Sequence, residues 1–135
     1  MSEDEWGFGW VAYLTILNSL LFMSLWSFIA VVFTDPGYIL DGAFTNSPPC
    51  YTCGLKRAAR AHHCSSCNKC ILRMDHHCPW IANCIGWKNH GHFLRFILYT
   101  WLAAVVGEVA IALRLGQMLF CPETVDPGSY RYVAG

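Results

Sequence analysis

Two long apolar runs bracket one polar stretch. From Trp6 through Thr34 no side chain carries a charge. Within that run, residues 10–33 (WVAYLTILNSLLFMSLWSFIAVVF) place apolar residues on every side of a helix. A spanning helix needs roughly 20 mostly apolar residues, because the hydrocarbon layer is about 30 Å thick. A soluble core helix would keep a polar face, and this one has none. A cleaved signal peptide is disfavoured by the length of the run and by the lack of basic residues before it. Asp35-Pro36-Gly37 then stops the helix, since Pro and Gly cannot continue it. The second run, residues 93–116 (FLRFILYTWLAAVVGEVAIALRLG), carries only Arg95, Glu108 and Arg114 as charges. The two arginines sit toward its ends and can snorkel. Glu108 falls inside the expected span, where an ionised carboxylate costs about 2.5–3.5 kcal/mol. It reads as a protonated Glu packed against a further helix or near the interface, in preference to an intramembrane site.

The polar stretch between the runs changes the picture. Lys56, Arg57, Arg60, Lys69, Arg73 and Lys88 all fall in it. Lys and Arg concentrate on cytoplasmic loops, so this loop should face the cytoplasm and both termini the opposite side. The expected organisation is an α-helical membrane protein with two transmembrane helices flanking a small, loop-rich, cysteine-rich zinc domain with short β-hairpins. Residues 1–9 form a lumenal N-terminus, 10–33 a transmembrane helix and 34–92 the cytoplasmic domain. Residues 93–116 form the second transmembrane helix and 117–135 an irregular lumenal tail. Formal net charge is zero, which gives no argument for nucleic acid or for an acidic partner. No internal repeat stands out at solenoid spacing.

Every histidine and seven of the eight cysteines lie in the loop, Cys121 being the exception. A reducing cytoplasm disfavours a disulfide framework. C-x-x-C pairs near histidines are instead the spacing of zinc sites, with the two sulfurs gripping one ion at about 2.3 Å. Two four-ligand sites need eight ligands. Seven cysteines with one histidine satisfy that count, and so do six cysteines with two histidines, which leaves one thiol unused. Strand alternation favours the second split near Cys78. If residues 75–78 are extended, His77 points away from His76 and Cys78, which share a side. His77 can then hold a metal while His76 approaches Cys78. A base beside a thiol, with Asp75 to orient the base, is the layout of a Cys–His nucleophile.

These residues resemble the cysteine-rich domain of the DHHC protein S-acyltransferases, the palmitoyltransferases. The family spacing is C-x2-C-x9-H-C-x2-C-x2-C-x4-D-H-H-C-x5-C-x4-N-x3-F. The chain supplies it at Cys50, Cys53, His63, Cys64, Cys67, Cys70, Asp75, His76, His77, Cys78, Cys84, Asn89 and Phe93. Pro79 and Trp80 match, as does Asp35-Pro36-Gly37 after a membrane helix. The resemblance implies two interleaved structural zinc ions. Cys50, Cys53, His63 and Cys70 would hold one; Cys64, Cys67, His77 and Cys84 would hold the other. It implies Cys78 as the acylated nucleophile, His76 as its base and Asp75 as the orienting acid. Trp80 is placed near the acyl thioester, with core packing as the alternative. His62, His90 and His92 receive no role.

The implied reaction carries a long-chain acyl group, typically palmitoyl, from acyl-CoA through acyl-Cys78 to cysteine thiols of substrate proteins. Implied partners are palmitoyl-CoA, the lipid bilayer, and cytoplasmic or membrane-associated proteins with juxtamembrane cysteines; nucleic acid is not among them. The implied location is the Golgi or endoplasmic reticulum membrane, with the plasma membrane as the alternative. Two departures stand out. Family members usually have four or more membrane helices, and PETV at 122–125 does not match the family's T-T-x-E. The chain is therefore read as truncated. The alternative function is a catalytically incomplete zinc-binding membrane module, or an isoform that interferes with full-length relatives. A ubiquitin-ligase-type zinc ring gives no reason for Asp-His-His-Cys at this spacing.

Overall fold

A computed structural model describes residues 3–40 and 46–120. Helix α1 runs Glu3–Phe33. Four short strands follow: β1 His62–Cys64, β2 Lys69–Ile71, β3 His76–Cys78 and β4 Asn83–Ile85. Helix α2 runs His90–Phe120. Phe8–Phe33 and His90–Phe120 are long and apolar enough to cross a membrane, with mean hydropathy 2.1 and 2.0. Both helices exceed the expected spans. The expected tail beyond Phe120, with Cys121, lies outside the described residues. The described residues up to Ala103 form one compact unit, and those from Ala104 to Phe120 a second.

The start of α2 explains its extra turn. The Asn89 carbonyl accepts the N–H of His92 and of Phe93, so Asn89 takes the N-cap position. Its side chain works elsewhere. Fully buried, it accepts the Gly86 N–H at Oδ1 (2.9 Å) and donates from Nδ2 to the Cys84 carbonyl (2.8 Å) and the Val31 carbonyl (3.5 Å).

A helix end leaves four carbonyls without partners in the helix. At the end of α1, Ala30 O accepts the Thr34 N–H, and Asn89 reaches Val31 O. Asn83 Nδ2 donates to the Val32 and Thr34 carbonyls, both at 3.2 Å. Asn83 of the β3–β4 hairpin and Asn89 at the start of α2 therefore cap α1 together. Beyond the cap, Asp35 Oδ1 accepts the N–H groups of Gly37 (2.6 Å) and Tyr38 (3.0 Å). Burial works to raise the Asp35 pKa, but these bonds outweigh it and hold the carboxyl below its ordinary value. Gly37, at φ 105°, makes the turn that a side chain would oppose.

β1 pairs antiparallel with β2, and β3 with β4, as two separate hairpins. They meet the connector after α1 at Gly86. A Cβ there would lie 2.5 Å from both Ile71 Cγ2 and the Pro36 carbonyl. Gly86→Ala should therefore push β4 off the connector. The expected cost is about 1–3 kcal/mol, the usual range for overpacking, read as a lower melting temperature in detergent. An unchanged melting temperature would show that the crossing tolerates a methyl group.

The helices touch within the first unit. Phe28 and Phe96 rings lie 5.4 Å apart. Ser24 and Thr100 hydroxyls are 2.7 Å apart, and Thr100 donates its own proton to the Phe96 carbonyl, so Ser24 is the donor between helices. In a lipid setting such a bond is worth about 0.6 kcal/mol on average.

Candidate metal centres and the thiol between them

The two hairpins repeat one pattern. Residues 62–71 read HHCSSCNKCI and residues 76–85 read HHCPWIANCI. The turn residue at the matching position is left-handed in both, Asn68 and Ala82 each at φ 52°. In each hairpin the second histidine stands directly opposite a cysteine: His63 opposite Cys70, and His77 opposite Cys84. Cross-strand partners share one face, so each hairpin presents an imidazole and a thiol to the same point.

A C-x-x-C from the preceding segment completes each set. Cys50, Cys53, His63 and Cys70 gather their ligand atoms within 4.8 Å of one another, and so do Cys64, Cys67, His77 and Cys84. These are the eight side chains that the family spacing grouped. In the first set Cys53 Sγ is 3.5 Å from Cys70 Sγ, which is 3.7 Å from His63 Nδ1. In the second, His77 Nδ1 lies 3.7 Å from Cys64 Sγ and 3.4 Å from both Cys67 and Cys84. A tetrahedral ion with Zn–S of about 2.3 Å and Zn–N of about 2.0 Å requires ligand separations of about 3.5–3.8 Å. Disulfides would need about 2.05 Å. The residues fit a tetrahedral, thiolate-preferring ion, and the two clusters can hold metal.

The thiols' proton affinities carry the same message. In the first set, N–H groups of Cys53 and Thr52 draw Cys50 down to about 6. Burial, then the neighbouring Cys53 and Cys50 side chains, push Cys70 up to about 12. In the second, burial and the sulfurs of Cys64 and Cys67 drive Cys84 upward. Burial also opposes ionisation of Cys64, but the Cys67 N–H and the sulfurs of Cys84 and Cys67 outweigh it, so that thiol is lowered. Clustered sulfurs cannot all shed their protons beside one another. A central divalent cation removes that conflict.

Cys78 belongs to neither set. The repeat explains why. It occupies the position of Cys64, the first half of a C-x-x-C that serves the next cluster along the chain. Ile81 stands where the second cysteine would be, and no third cluster is formed among the described residues. Cys78 instead packs with Val31, Ile81 and Ile85, against Phe28, Val32, Phe93 and Phe96, and is only 6% exposed. The thiol thus sits among apolar side chains where both helices enter the domain.

His76 contacts the same neighbour, its ring edge-on to Phe93 at 5.4 Å. Asp75 Oδ2 lies 3.5 Å from His76 Nδ1 and 3.7 Å from His90 Nε2. Trp80 is 90% exposed at the β3–β4 turn, so it is not a core residue. Beside Asp75 opens a cavity of about 510 Å³, lined by Arg60, Arg73, Trp87 and His90 among others. The Arg73 guanidinium stacks 4.4 Å from the Trp87 ring, and Arg60 and Arg73 both adopt left-handed φ. Sequence reasoning left Asn83 without a role, read Asn89 only as a spacing match and gave His90 none. The Asn positions had no local signal, since their partners are carbonyls at the end of α1, 49 to 58 residues earlier in the chain. His90 had none, because its contact depends on how α2 meets β3.

Residues 43–119 match the family model described as DHHC palmitoyltransferase. The probable protein S-acyltransferase 14 of Arabidopsis thaliana is 34% identical across 93% of this chain and 51% of that protein. The palmitoyltransferase ZDHHC3-A of Danio rerio is 38% identical across 72% of this chain and 35% of its own length. Palmitoyltransferase PFA3 of Kluyveromyces lactis reaches 52% identity across 44% of this chain and 18% of that protein. The chain spans about half the length, or less, of these curated relatives.

Proposed function

The chain belongs to the DHHC palmitoyltransferase family, and on that premise we propose that it is a protein S-acyltransferase working through an acyl-Cys78 intermediate. Its two apolar helices make it an integral membrane protein. The observation that carries the reading is the position of Cys78: outside both cysteine–histidine clusters, at the junction of the two helices.

The Cys78 thiol, with His76 drawing off its proton, attacks the thioester carbonyl of an acyl-CoA. The carbon–sulfur bond to CoA breaks, and CoA leaves as a thiolate that takes up a proton. A cysteine of a substrate protein then attacks the acyl-Cys78 carbonyl and restores the enzyme thiol. Both steps exchange one thioester for another, so positioning and activation are the main demands. Apolar packing around Cys78 suits a long acyl chain, which gains about 0.8 kcal/mol per CH₂ kept out of water. The cavity lined by Arg60 and Arg73 suits the phosphates of the CoA moiety. The eight cluster residues would hold two structural zinc ions, which supply no chemistry beyond fixing the backbone around β3. Basic residues put the domain in the cytoplasm, with residues 10–33 and 93–116 as the spans. Substrate cysteines would lie near the membrane surface, and the family resemblance supports a Golgi or endoplasmic reticulum location.

Protein in lipid nanodiscs, incubated with labelled palmitoyl-CoA, should gain a hydroxylamine-labile label and pass it to a thiol-bearing acceptor peptide. A zinc module without transferase activity would take no label. Within this reading His76→Ala should slow acylation by ~10²–10⁴-fold, the range for a lost acid–base group, with both metal ions retained. Loss of one metal equivalent in that variant would show His76, not His77, to be the ligand.

A further inference from the structure

We propose that His90 is a positioning residue for acyl transfer, acting on the Asp75 carboxylate. The inference deepens the transferase reading and rests on it. Asp75 stands between two imidazoles, and both approach the same oxygen: His76 Nδ1 at 3.5 Å and His90 Nε2 at 3.7 Å from Oδ2. An N–H on His90 Nε2 directed at that oxygen restrains the carboxylate. The carboxylate is then held where it can accept the His76 Nδ1–H. Such contacts are often long before substrate binds and tighten in the reacting complex.

Both ends of the contact are anchored. The Asp75 N–H bonds the Ile85 carbonyl at 2.8 Å, and the His90 N–H bonds the Gly86 carbonyl at 3.0 Å. The two residues therefore hang from consecutive carbonyls at the end of β4. Asn89, fully buried, locks that corner to α1. His90 is also the first residue of α2, whose positive end favours a carboxylate nearby. Both side chains are about half exposed, so the contact rests on the two anchored backbones, and a residue that merely started the helix would need no carboxylate facing its ring.

His90 lines the cavity beside Asp75, so contact with the acyl donor is the competing role. Single-turnover acylation of Cys78 in nanodiscs separates the two. His90→Ala should lower the saturating rate by on the order of tenfold, less than loss of the base itself, and leave the half-saturating palmitoyl-CoA concentration unchanged. His90→Gln, whose amide N–H can replace the ring Nε2–H, should restore most of the rate. In an Asp75→Asn background, His90→Ala should add nothing, because the residue acts through the carboxylate. A raised half-saturation with an unchanged maximal rate would overturn the proposal in favour of donor contact. Effects that multiply with Asp75→Asn, or wild-type rates in His90→Ala, would overturn it too. Absence of label on the wild-type protein would overturn the transferase reading and this role with it. A normally labelled wild type with an indifferent His90 would overturn this role alone.

Discussion

Cys78→Ser should take no label from acyl-CoA while keeping two metal ions per chain and its helical content. A hydroxyl is close to a thiol in size but is far less acidic, so the attacking group is lost with little change in packing. The side chain contributes to the apolar cluster with Val31, Ile81 and Ile85, and a serine there costs a fraction of a cluster that holds through the other members. Neither cysteine–histidine set includes residue 78, so metal content should not move. The measurement is intact-protein mass after incubation with palmitoyl-CoA, with metal content determined in parallel. A persisting adduct would place the acyl group on another cysteine.

Cys84→Ser should have the opposite signature, with metal lost first and activity lost as a consequence. Cys84 is fully buried, and its sulfur lies 3.4 Å from both Cys67 Sγ and His77 Nδ1. Structural zinc binding contributes on the order of 10–16 kcal/mol in small zinc modules. That matches or exceeds the ~5–15 kcal/mol net stability of a typical domain. Losing one thiolate should therefore release the ion and open the β3–β4 hairpin. The damage spreads because the Cys84 carbonyl accepts from Asn89, and Asn83 beside it caps α1. Expected readouts are one metal equivalent lost, fast amide exchange across residues 76–85, and acylation too slow to detect. Two retained ions with a protected hairpin would contradict the ligand set.

Much of this architecture could be read along the chain, for identifiable reasons. An uncharged run such as 10–33 leaves no face for water, so the helix and its setting follow from composition. C-x-x-C pairs near histidines pointed to zinc by local geometry, and the structure brings together the eight side chains that the family resemblance grouped. Short hairpins in the zinc domain were expected as well, and four short strands form two of them. What escaped depends on contacts between elements distant in sequence. Asn83 and Asn89 reach carbonyls of α1 some fifty residues earlier, and no local rule reports such a bond. Gly86 reads as an ordinary turn glycine until Pro36 and Ile71 are seen against it. The start of α2 moved outward because Asn89 caps it through its backbone while its side chain faces away. The repeat of HHC at 62–64 and 76–78 stands in the sequence, but it drew no notice until the two hairpins were seen side by side. Its meaning needed the clusters in place: Cys78 inherits a ligand's position next to an isoleucine instead of a second cysteine.

The most direct test lies in the metal's own connectivity. Protein reconstituted with NMR-active cadmium should give two metal resonances. One should correlate with the β-protons of Cys50, Cys53 and Cys70, and the other with those of Cys64, Cys67 and Cys84. The account predicts no correlation from either ion to Cys78. A scalar coupling between Cys78 and cadmium would make that sulfur a ligand and contradict its role as the group that carries the acyl chain.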